Sequence, residues 1–359
     1  MTSTKRADER LLNIQSSVQA GVRISDGDFL YLEEKGSLYD LGFLANAIRE
    51  RLHPQKQVTY VIDRNINYTD ICISACKFCA FFKAPEDKTG YLLPFTELAA
   101  KIKETQELGG TQILLQGGLH PDQPLEYYEE MVRFMKQTGI HVHGFSPPEI
   151  YHFSNISGES VRQVLRRLIA AGLDSIPGGG AEILNDRVRQ ATAPRKCTAD
   201  QWLEVMEEAH HQRLKTTATM MFGHIETAEE RLEHLHRLRQ LQDRTGGFTA
   251  FIPWPFQPDN TVLADIEKTT AMGYLRMLAL SRIYLDNFAN VQASWVTQGP
   301  KIAQLSLFFG ANDFGSTMIE ENVVAAAGVS FRLSEDEIRR LVADAGFEPC
   351  QRRMDYTLV

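Results

Sequence analysis

The sequence contains little cysteine, no long apolar run and no excess of positive charge. Five cysteines among 359 residues are few and odd in number, so a disulfide framework is not expected. No apolar segment approaches the ~20 residues that cross a bilayer. Forty-six acidic against 38 basic residues give a net charge of −8, which argues against nucleic-acid and membrane partners. The first twelve residues are polar and charged, unlike a secretion signal, so we expect a cytoplasmic location.

Strand-like segments alternate with amphipathic helices along most of the chain. The predicted strands are 58–62, 112–116, 141–145, 175–176, 216–221, 248–252, 291–295 and, weakly, 311–314. The predicted helices are 94–108, 124–138, 160–171, 198–213, 227–244, 270–287 and 300–309. Such alternation indicates parallel strands joined by right-handed crossovers. We therefore predict an α/β fold, a (β/α)8 barrel of the TIM type, with a doubly wound open sheet as the alternative because the eighth strand is short.

The predicted barrel does not use the whole chain. Residues 1–55 have helical apolar spacing that ends at His53 and Pro54, which predicts an N-terminal helical extension. We assign residues 56–330 to the barrel, and residues 331–359 to a C-terminal helix and tail that close it. Polar and glycine-rich segments follow the predicted strand ends, at 65–69, 116–120, 146–149, 178–182, 222–226, 253–260 and 297–301. In a barrel these loops converge on one mouth, where active sites are built.

Three of the five cysteines crowd into eight residues: Cys72, Cys76 and Cys79. Thiolates spaced by three and two residues can hold three corners of a 4Fe-4S cluster, and the absence of a fourth nearby cysteine leaves one iron open to an external ligand. The alternative is structural zinc, which needs a fourth ligand such as His120. Cys197 and Cys350 stand alone, and their roles remain open.

The cysteine spacing after a first barrel strand resembles the radical S-adenosylmethionine (SAM) superfamily. Longer blocks resemble the group that contains aminofutalosine synthase, the deazaflavin-precursor (FO) synthases and cyclic dehypoxanthine futalosine synthase: NINYTDIC at 65–72, QILLQGGLH at 112–120, FSPPE at 145–149 and PGGGAE at 177–182. The blocks TTATMMFGH at 216–224, ASWVTQGPK at 293–301 and GANDFGSTM at 310–318 are most similar to the last of these. The resemblance covers roughly residues 58–330.

The resemblance implies a 4Fe-4S cluster on Cys72, Cys76 and Cys79, with SAM bound at its open iron. It also implies a set of residues that contact SAM: Phe78, Gln116, Gly117, Gly118, Glu149, Glu182, Thr219, Met221 and Gly223. Leu119 stands where the glycine-rich motif usually continues with glutamate. Thr219 likewise replaces the first glycine of a superfamily stretch that runs on to Glu226.

The same resemblance implies a reaction of menaquinone biosynthesis. A 5′-deoxyadenosyl radical would take hydrogen from C4′ of dehypoxanthine futalosine, and the carbon radical would attack the benzoate ring and cyclise. An external one-electron donor such as flavodoxin or ferredoxin is implied. We expect Lys301 to meet the benzoate carboxylate, and His143, His224 or Asp313 to accept the proton that the ring loses. Aminofutalosine synthase or FO synthase chemistry, or a zinc-stabilised binding module, are the alternatives.

Overall fold

The structure, a computed structural model, describes residues 2–359 and gives side chains from residue 9 onward; residue 1 of the predicted N-terminal extension lies outside it. The strands are β1 Gln57–Val61, β2 Asp63–Asn67, β3 Gln112–Gln116, β4 His141–Gly144, β5 Ser175–Ile176, β6 Lys215–Phe222, β7 Phe248–Pro255, β8 Asn290–Val291, β9 Asp313–Ser316 and β10 Glu348–Gln351. The helices are α1 Thr2–Gln19, α2 Asp26–Lys35, α3 Leu38–Leu52, α4 Phe95–Glu107, α5 Leu125–Lys136, α6 Pro147–Ser157, α7 Val161–Ala171, α8 Asp186–Thr192, α9 Ala199–His211, α10 Ala228–Thr245, α11 Ala271–Tyr284, α12 Trp295–Gln298, α13 Pro300–Ser306, α14 Val323–Ala326 and α15 Glu335–Asp344.

Seven of the strands, β2 to β8, form one parallel sheet in chain order. Gln112 of β3 lies opposite Asp63 on one side and His141 on the other, so the register runs unbroken across the first three strands. Helices connect most of the successive strands, because parallel neighbours need a long crossover. Thr198 caps the N-terminus of α9 and Thr227 that of α10, each with a reciprocal capping box, which fixes where these two crossover helices start.

Strand β9 joins the two edges of this curled sheet. On one side the Ala293 amide donates to the Asp313 carbonyl at 2.9 Å. On the other side β9 pairs in parallel with β1, and just beyond β9 the Ile319 amide donates to the Asp63 carbonyl of β2, the second edge strand, at 3.1 Å. The predicted (β/α)8 fold is therefore confirmed, and β9 is its short eighth strand. Strand β10 then pairs with the free edge of β1.

Three local predictions were wrong. The segment that begins at Asn65 was predicted as a loop but is mostly strand β2, a strand of buried polar residues in which the Asp63 carboxylate accepts hydrogen bonds from Gln112 and Ser316. The segment that begins at Ser146 was also predicted as a loop but starts α6, with a proline in its first turn and a capping box to Glu149. The predicted strand 291–295 ends at Val291, since the indole of Trp295 turns to donate to the Ser316 carbonyl at 2.8 Å.

The apolar core lies between the sheet and its helices. The N-terminal helices pack on the outside of the barrel, where α3 meets α11. Polar side chains concentrate inside the barrel instead, and these are the residues that shape the site. Across the described residues, no helix is long and apolar enough to cross a membrane.

Candidate active site

Two connected cavities occupy the barrel. The first, here called the mouth pocket, is lined by the cysteine loop 72–79, residues 116–118, Glu182 and Met221. The second, here called the barrel cavity, is lined by Asp63, Gln112, His143, Gln292 and Arg352, among others. Five residues line both, namely Gln116, Gly179, Trp254, Val323 and Val324, so a molecule at the mouth and a molecule inside the barrel would meet there.

The cysteine loop directs all three thiols into the mouth pocket. The Cys72 sulfur accepts hydrogen bonds from the Ser74 amide at 3.4 Å and the Leu119 amide at 3.3 Å. The Cys76 sulfur lies 3.2 Å from the Ser74 hydroxyl. Burial raises the pKa of Cys76 to about 11, and a metal ion at the thiol would displace its proton. Backbone amides aimed at sulfur are the contacts that tune iron–sulfur clusters.

The arrangement fits a cluster better than a single metal ion. No group of three or more His, Cys, Asp and Glu side chains within residues 9–359 is spaced to hold one ion. A cubane takes each thiolate at a different iron, so its three thiols can stand further apart. His120, the candidate fourth ligand for zinc, does not line the mouth pocket that contains the three thiols, and its Nδ1 accepts a hydrogen bond from the Asp122 amide at 3.1 Å.

Glycine is required at two positions beside the cysteine loop. A Cβ atom at Gly117 would lie 2.5 Å from the ring of Tyr68. A Cβ atom at Gly118 would lie 2.2 Å from the carbonyl oxygen of Ile71, immediately before the first cysteine. The close packing brings the backbone of this segment to the wall of the mouth pocket, where the Leu119 amide reaches the Cys72 sulfur.

Hydrogen bonds to Glu149 hold the same glycine segment in place. One carboxylate oxygen accepts from the Tyr68 hydroxyl at 2.7 Å and from the Gly117 amide at 3.0 Å. The other accepts from the backbone amide and the hydroxyl of Ser146, at 2.7 and 2.5 Å. Burial raises the pKa of Glu149 to about 7. Glu149 lines the mouth pocket, but these four bonds already occupy its oxygens.

Glu182 and Lys196 form a buried ion pair on the opposite wall of the mouth pocket. The Glu182 Oε1 atom lies 3.0 Å from the Lys196 ammonium, and the Glu182 backbone is held at a φ of 41°. The ammonium also lies 5.3 Å from the ring centroid of Phe78. Burial alone would lower the pKa of Lys196, but Glu182 and the nearby Cys76 raise it overall. Lys196 was not predicted, because nothing near it in the sequence marks it.

The other residues predicted to contact SAM are divided between the two cavities. Met221 lines the mouth pocket, and its amide donates to the Glu182 carbonyl at 3.0 Å. Thr219 lies in the wall of the barrel cavity, with its hydroxyl donating to the Gly178 carbonyl at 2.6 Å. Gly223 lines neither cavity; its amide donates to the Glu226 carboxylate at 2.6 Å in the turn after β6.

Only one of the three predicted proton acceptors lines a cavity. His143 faces the barrel cavity, and its Nδ1 atom lies 2.7 Å from the Ser175 hydroxyl. Asp313 is buried in a two-point ion pair with Arg352, at 2.5 and 3.1 Å. His224 points into its own turn, with Nε2 3.1 Å from the Met221 carbonyl. Of the three, His143 alone is placed to exchange a proton with a molecule in the barrel cavity.

Lys301 does not reach either cavity. It lies on the exposed face of α13, one residue after the proline that starts this helix. The cation that does line the barrel cavity is Arg352, which comes from the C-terminal end of the chain. No local pattern could have predicted Arg352, because β10 places it under the barrel only through its pairing with β1.

Comparisons with known proteins agree with this geometry. Residues 66–238 match the radical SAM superfamily, and residues 245–359 match the CofH/MqnC C-terminal region. The chain is 46% identical to a cyclic dehypoxanthine futalosine synthase of Halalkalibacterium halodurans, covering 94% of this chain and 92% of that protein. It is also 46% identical to one from Streptomyces coelicolor, over 98% and 89%.

Other relatives extend the comparison. An aminodeoxyfutalosine synthase of Thermus thermophilus is 43% identical, over 97% of this chain and 96% of that protein. The hydrogenase maturase HydG from Carboxydothermus hydrogenoformans superposes with a TM-score of 0.77 at 18% identity, over 98% and 82% of the two chains. Methylornithine synthase gives 0.73 at 18% identity, over 94% and 97%. At such low identity these two structures support the barrel fold alone.

Proposed function

The chain belongs to the radical SAM superfamily, in the group with the cyclic dehypoxanthine futalosine synthases, and we propose that it cyclises dehypoxanthine futalosine in menaquinone biosynthesis. The observation that carries the proposal is the junction of the two cavities. A three-thiol mouth pocket opens directly onto the barrel cavity, and Gln116, Gly179 and Trp254 are among the residues that line both. Radical chemistry on a bound substrate needs this contact, because the reacting atoms must be held close together and away from water.

Membership of the superfamily implies a 4Fe-4S cluster and SAM. Cys72, Cys76 and Cys79 would hold the cluster, and the backbone at Gly117 and Gly118 would lie against SAM together with Phe78, Glu182 and Met221. When bound, the cluster and SAM would supply a 5′-deoxyadenosyl radical derived from SAM, with the electron coming from an external one-electron donor such as a flavodoxin or ferredoxin. The protein's own part at the mouth is positional: Glu149 holds the glycine segment, and the Leu119 amide donates to a ligand sulfur.

The barrel cavity would hold the substrate. Amide and guanidinium donors line it, among them Gln112, Gln292 and Arg352, and they suit the hydroxyl and carboxylate oxygens of a ribosyl benzoate. Trp254 lines both cavities, and its indole would help to keep water from the carbon radical. We expected Lys301 to bind the benzoate carboxylate of the substrate. Because Lys301 is exposed, these donors would bind it instead.

His143 would accept the proton that the ring carbon loses as aromaticity returns. Burial holds the pKa of His143 well below its ordinary range, so the imidazole is neutral and able to accept. We place the enzyme in the cytoplasm, where a soluble redox partner could reach the mouth pocket.

Product analysis tests the proposal directly. Enzyme reconstituted anaerobically with iron and sulfide is incubated with SAM, a reductant and dehypoxanthine futalosine. We expect free 5′-deoxyadenosine and a cyclised product in equal amounts. The similarity to an aminodeoxyfutalosine synthase gives the main competing outcome: a product that incorporates the adenosyl group would show that the chain has that activity instead.

A further inference from the structure

Three side chains form an unbroken hydrogen-bonded row at the floor of the barrel cavity. The Ser175 hydroxyl lies 2.7 Å from Nδ1 of His143 and 2.7 Å from Nε2 of His141. The two histidines share one face of β4, because they are two residues apart on a strand. Ser175 lies opposite His143 on the neighbouring strand β5, so the sheet register itself sets the row.

The row leads away from the cavity and from the mouth. His143 lines the cavity, Ser175 is fully buried, and His141 is partly exposed at the first residue of β4. Strands of a barrel begin at the end opposite the active-site mouth. The row therefore connects the interior with the far end of the barrel, next to the C-terminal tail.

A serine between two imidazoles gives the row a direction. Its hydroxyl has one proton, so it can donate to one ring nitrogen only while it accepts from the other. With His143 protonated on Nδ1, that N–H donates to Ser175, and the Ser175 hydroxyl donates to Nε2 of His141. This arrangement leaves Nε2 of His143 free to accept a proton from a molecule in the cavity.

We infer that His143, Ser175 and His141 relay the proton of the cyclisation step out of the barrel, an inference that rests on the proposed function. The C–H bond of the attacked ring carbon breaks, and its proton bonds to Nε2 of His143. The Nδ1 proton of His143 passes to the Ser175 oxygen, and the Ser175 proton passes to Nε2 of His141. The remaining electron leaves to a one-electron acceptor of the iron–sulfur class, and the ring becomes aromatic again.

The surroundings favour His141 as the end of the relay. Its electrostatic neighbours are the carboxylates of Asp174 and Asp355 and the ammonium of Lys136, whereas His143 faces His141 and the guanidinium of Arg352. A positive charge is therefore more stable on His141 than on His143. Without the outward step, the buried imidazole would have to keep a charge that its surroundings disfavour.

Ser175→Ala tests the relay, with Ser281→Ala as its matched control. Ser281 is equally buried, but its hydroxyl donates within α11 to the Met277 carbonyl, away from both cavities. In Ser175→Ala we expect free 5′-deoxyadenosine to form at the wild-type rate, while cyclised product per deoxyadenosine falls roughly tenfold, a modest part of what a general base contributes. Deuterium on the attacked ring carbon should then slow product formation in this variant but not in the control.

His141→Ala provides the second test, because this partly exposed site is open to small molecules. We expect the same loss of product and its recovery as imidazole is added, which a purely structural role for His141 would not give. An unchanged ratio of product to deoxyadenosine in Ser175→Ala, or loss of product in His141→Ala that imidazole does not restore, would overturn the relay. Deoxyadenosine without cyclised product from the wild-type enzyme would instead overturn the proposed function.

Discussion

The mouth and the floor of the barrel are held together by different kinds of contact. At the mouth, many of the contacts are made by backbone amides and glycines. The Leu119 amide donates to the Cys72 sulfur, and Gly118 packs against the Ile71 carbonyl. At the floor, buried side chains from distant strands pair with each other, as in Asp313 with Arg352. The comparison teaches that backbone contacts form much of the mouth and side-chain pairs form the floor, and that in both regions the partners come from separate parts of the chain.

The difference also separates two tasks. A backbone cradle can approach a cofactor closely and carries no charge that depends on pH. A network of buried histidines and carboxylates can move protons, but it is stable only while its members remain paired. Substitutions confined to one region should therefore affect one task at a time.

The largest effect is expected from removing one ligand at the mouth. Cys76→Ala should fail to assemble the cluster, so formation of 5′-deoxyadenosine should fall to background. Iron and sulfide content and visible absorbance after anaerobic reconstitution check the cause. Cys350→Ala is the matched control, since Cys350 lies in β10 outside both cavities, and it should keep the cluster. A full cluster in Cys76→Ala would refute the assignment of the ligands.

The next largest effect is expected at the floor. Asp313→Asn leaves the buried Arg352 guanidinium without its counter-charge, which should lower the free energy of unfolding by roughly 3 kcal/mol. Denaturant unfolding measures the change. Asp259→Asn removes the partner of Lys268 in an exposed pair and should cost less than about 1 kcal/mol. Equal costs for the two substitutions would mean that the buried pair of Asp313 and Arg352 does not stabilise the floor more than an exposed pair would.

The contributions of the two regions to the free energy of unfolding should change with pH in opposite directions. Burial raises the pKa of Glu149 from an ordinary 4.5 to about 7. The stability that Glu149 contributes is therefore present below pH ~4.5 and is lost as the pH rises to ~7. The loss is at most about 3 kcal/mol in the free energy of unfolding. Burial lowers the pKa of His143, so its contribution is present above its ordinary pKa of 6.5 and is lost as the pH falls.

Unfolding free energies measured between pH 5 and pH 8 check these signs. Glu149→Gln should remove the part of the stability that falls with rising pH, and His143→Gln the part that falls with decreasing pH. If both substitutions change the slope in the same direction, one of the two burial effects has been assigned the wrong sign.

The smallest effect is expected outside both regions. Lys301→Ala removes an exposed side chain that lines neither cavity, so cyclised product per deoxyadenosine should stay within about twofold of wild type. A large loss of product at constant SAM cleavage would show that α13 closes over the substrate after all.

The sequence was sufficient to predict what depends on local patterns. The alternation of strands and helices predicted the barrel, and the spacing of Cys72, Cys76 and Cys79 predicted that the three cysteines share one site, as they do in the mouth pocket. Their role as cluster ligands stays a prediction. Strand β2 was missed because its polar side chains look like a loop until their partners are known: Gln112 donates to Asp63 at 2.7 Å from the next strand. The relay role that we propose for Ser175 could not be predicted either, since its contacts depend on the register of β4 with β5.

Residues from remote parts of the chain were the least predictable. Arg352 enters the barrel cavity from the C-terminal tail, and Lys196 enters the mouth pocket from the loop before α9. Neither position carries a motif, because a single buried cation is defined only by the carboxylate that it meets in three dimensions. Lys301, by contrast, stood in a recognisable block and still proved to be exposed.

Transfer of deuterium tests most directly whether the mouth and the barrel cavity act on one substrate. Dehypoxanthine futalosine labelled with deuterium at C4′ is turned over anaerobically with SAM, and the 5′-deoxyadenosine is analysed by mass spectrometry. We predict that one deuterium moves into the 5′-deoxyadenosine that accompanies cyclised product. Unlabelled 5′-deoxyadenosine, with the deuterium retained in the product, would contradict a radical formed at the mouth and delivered to C4′ inside the barrel.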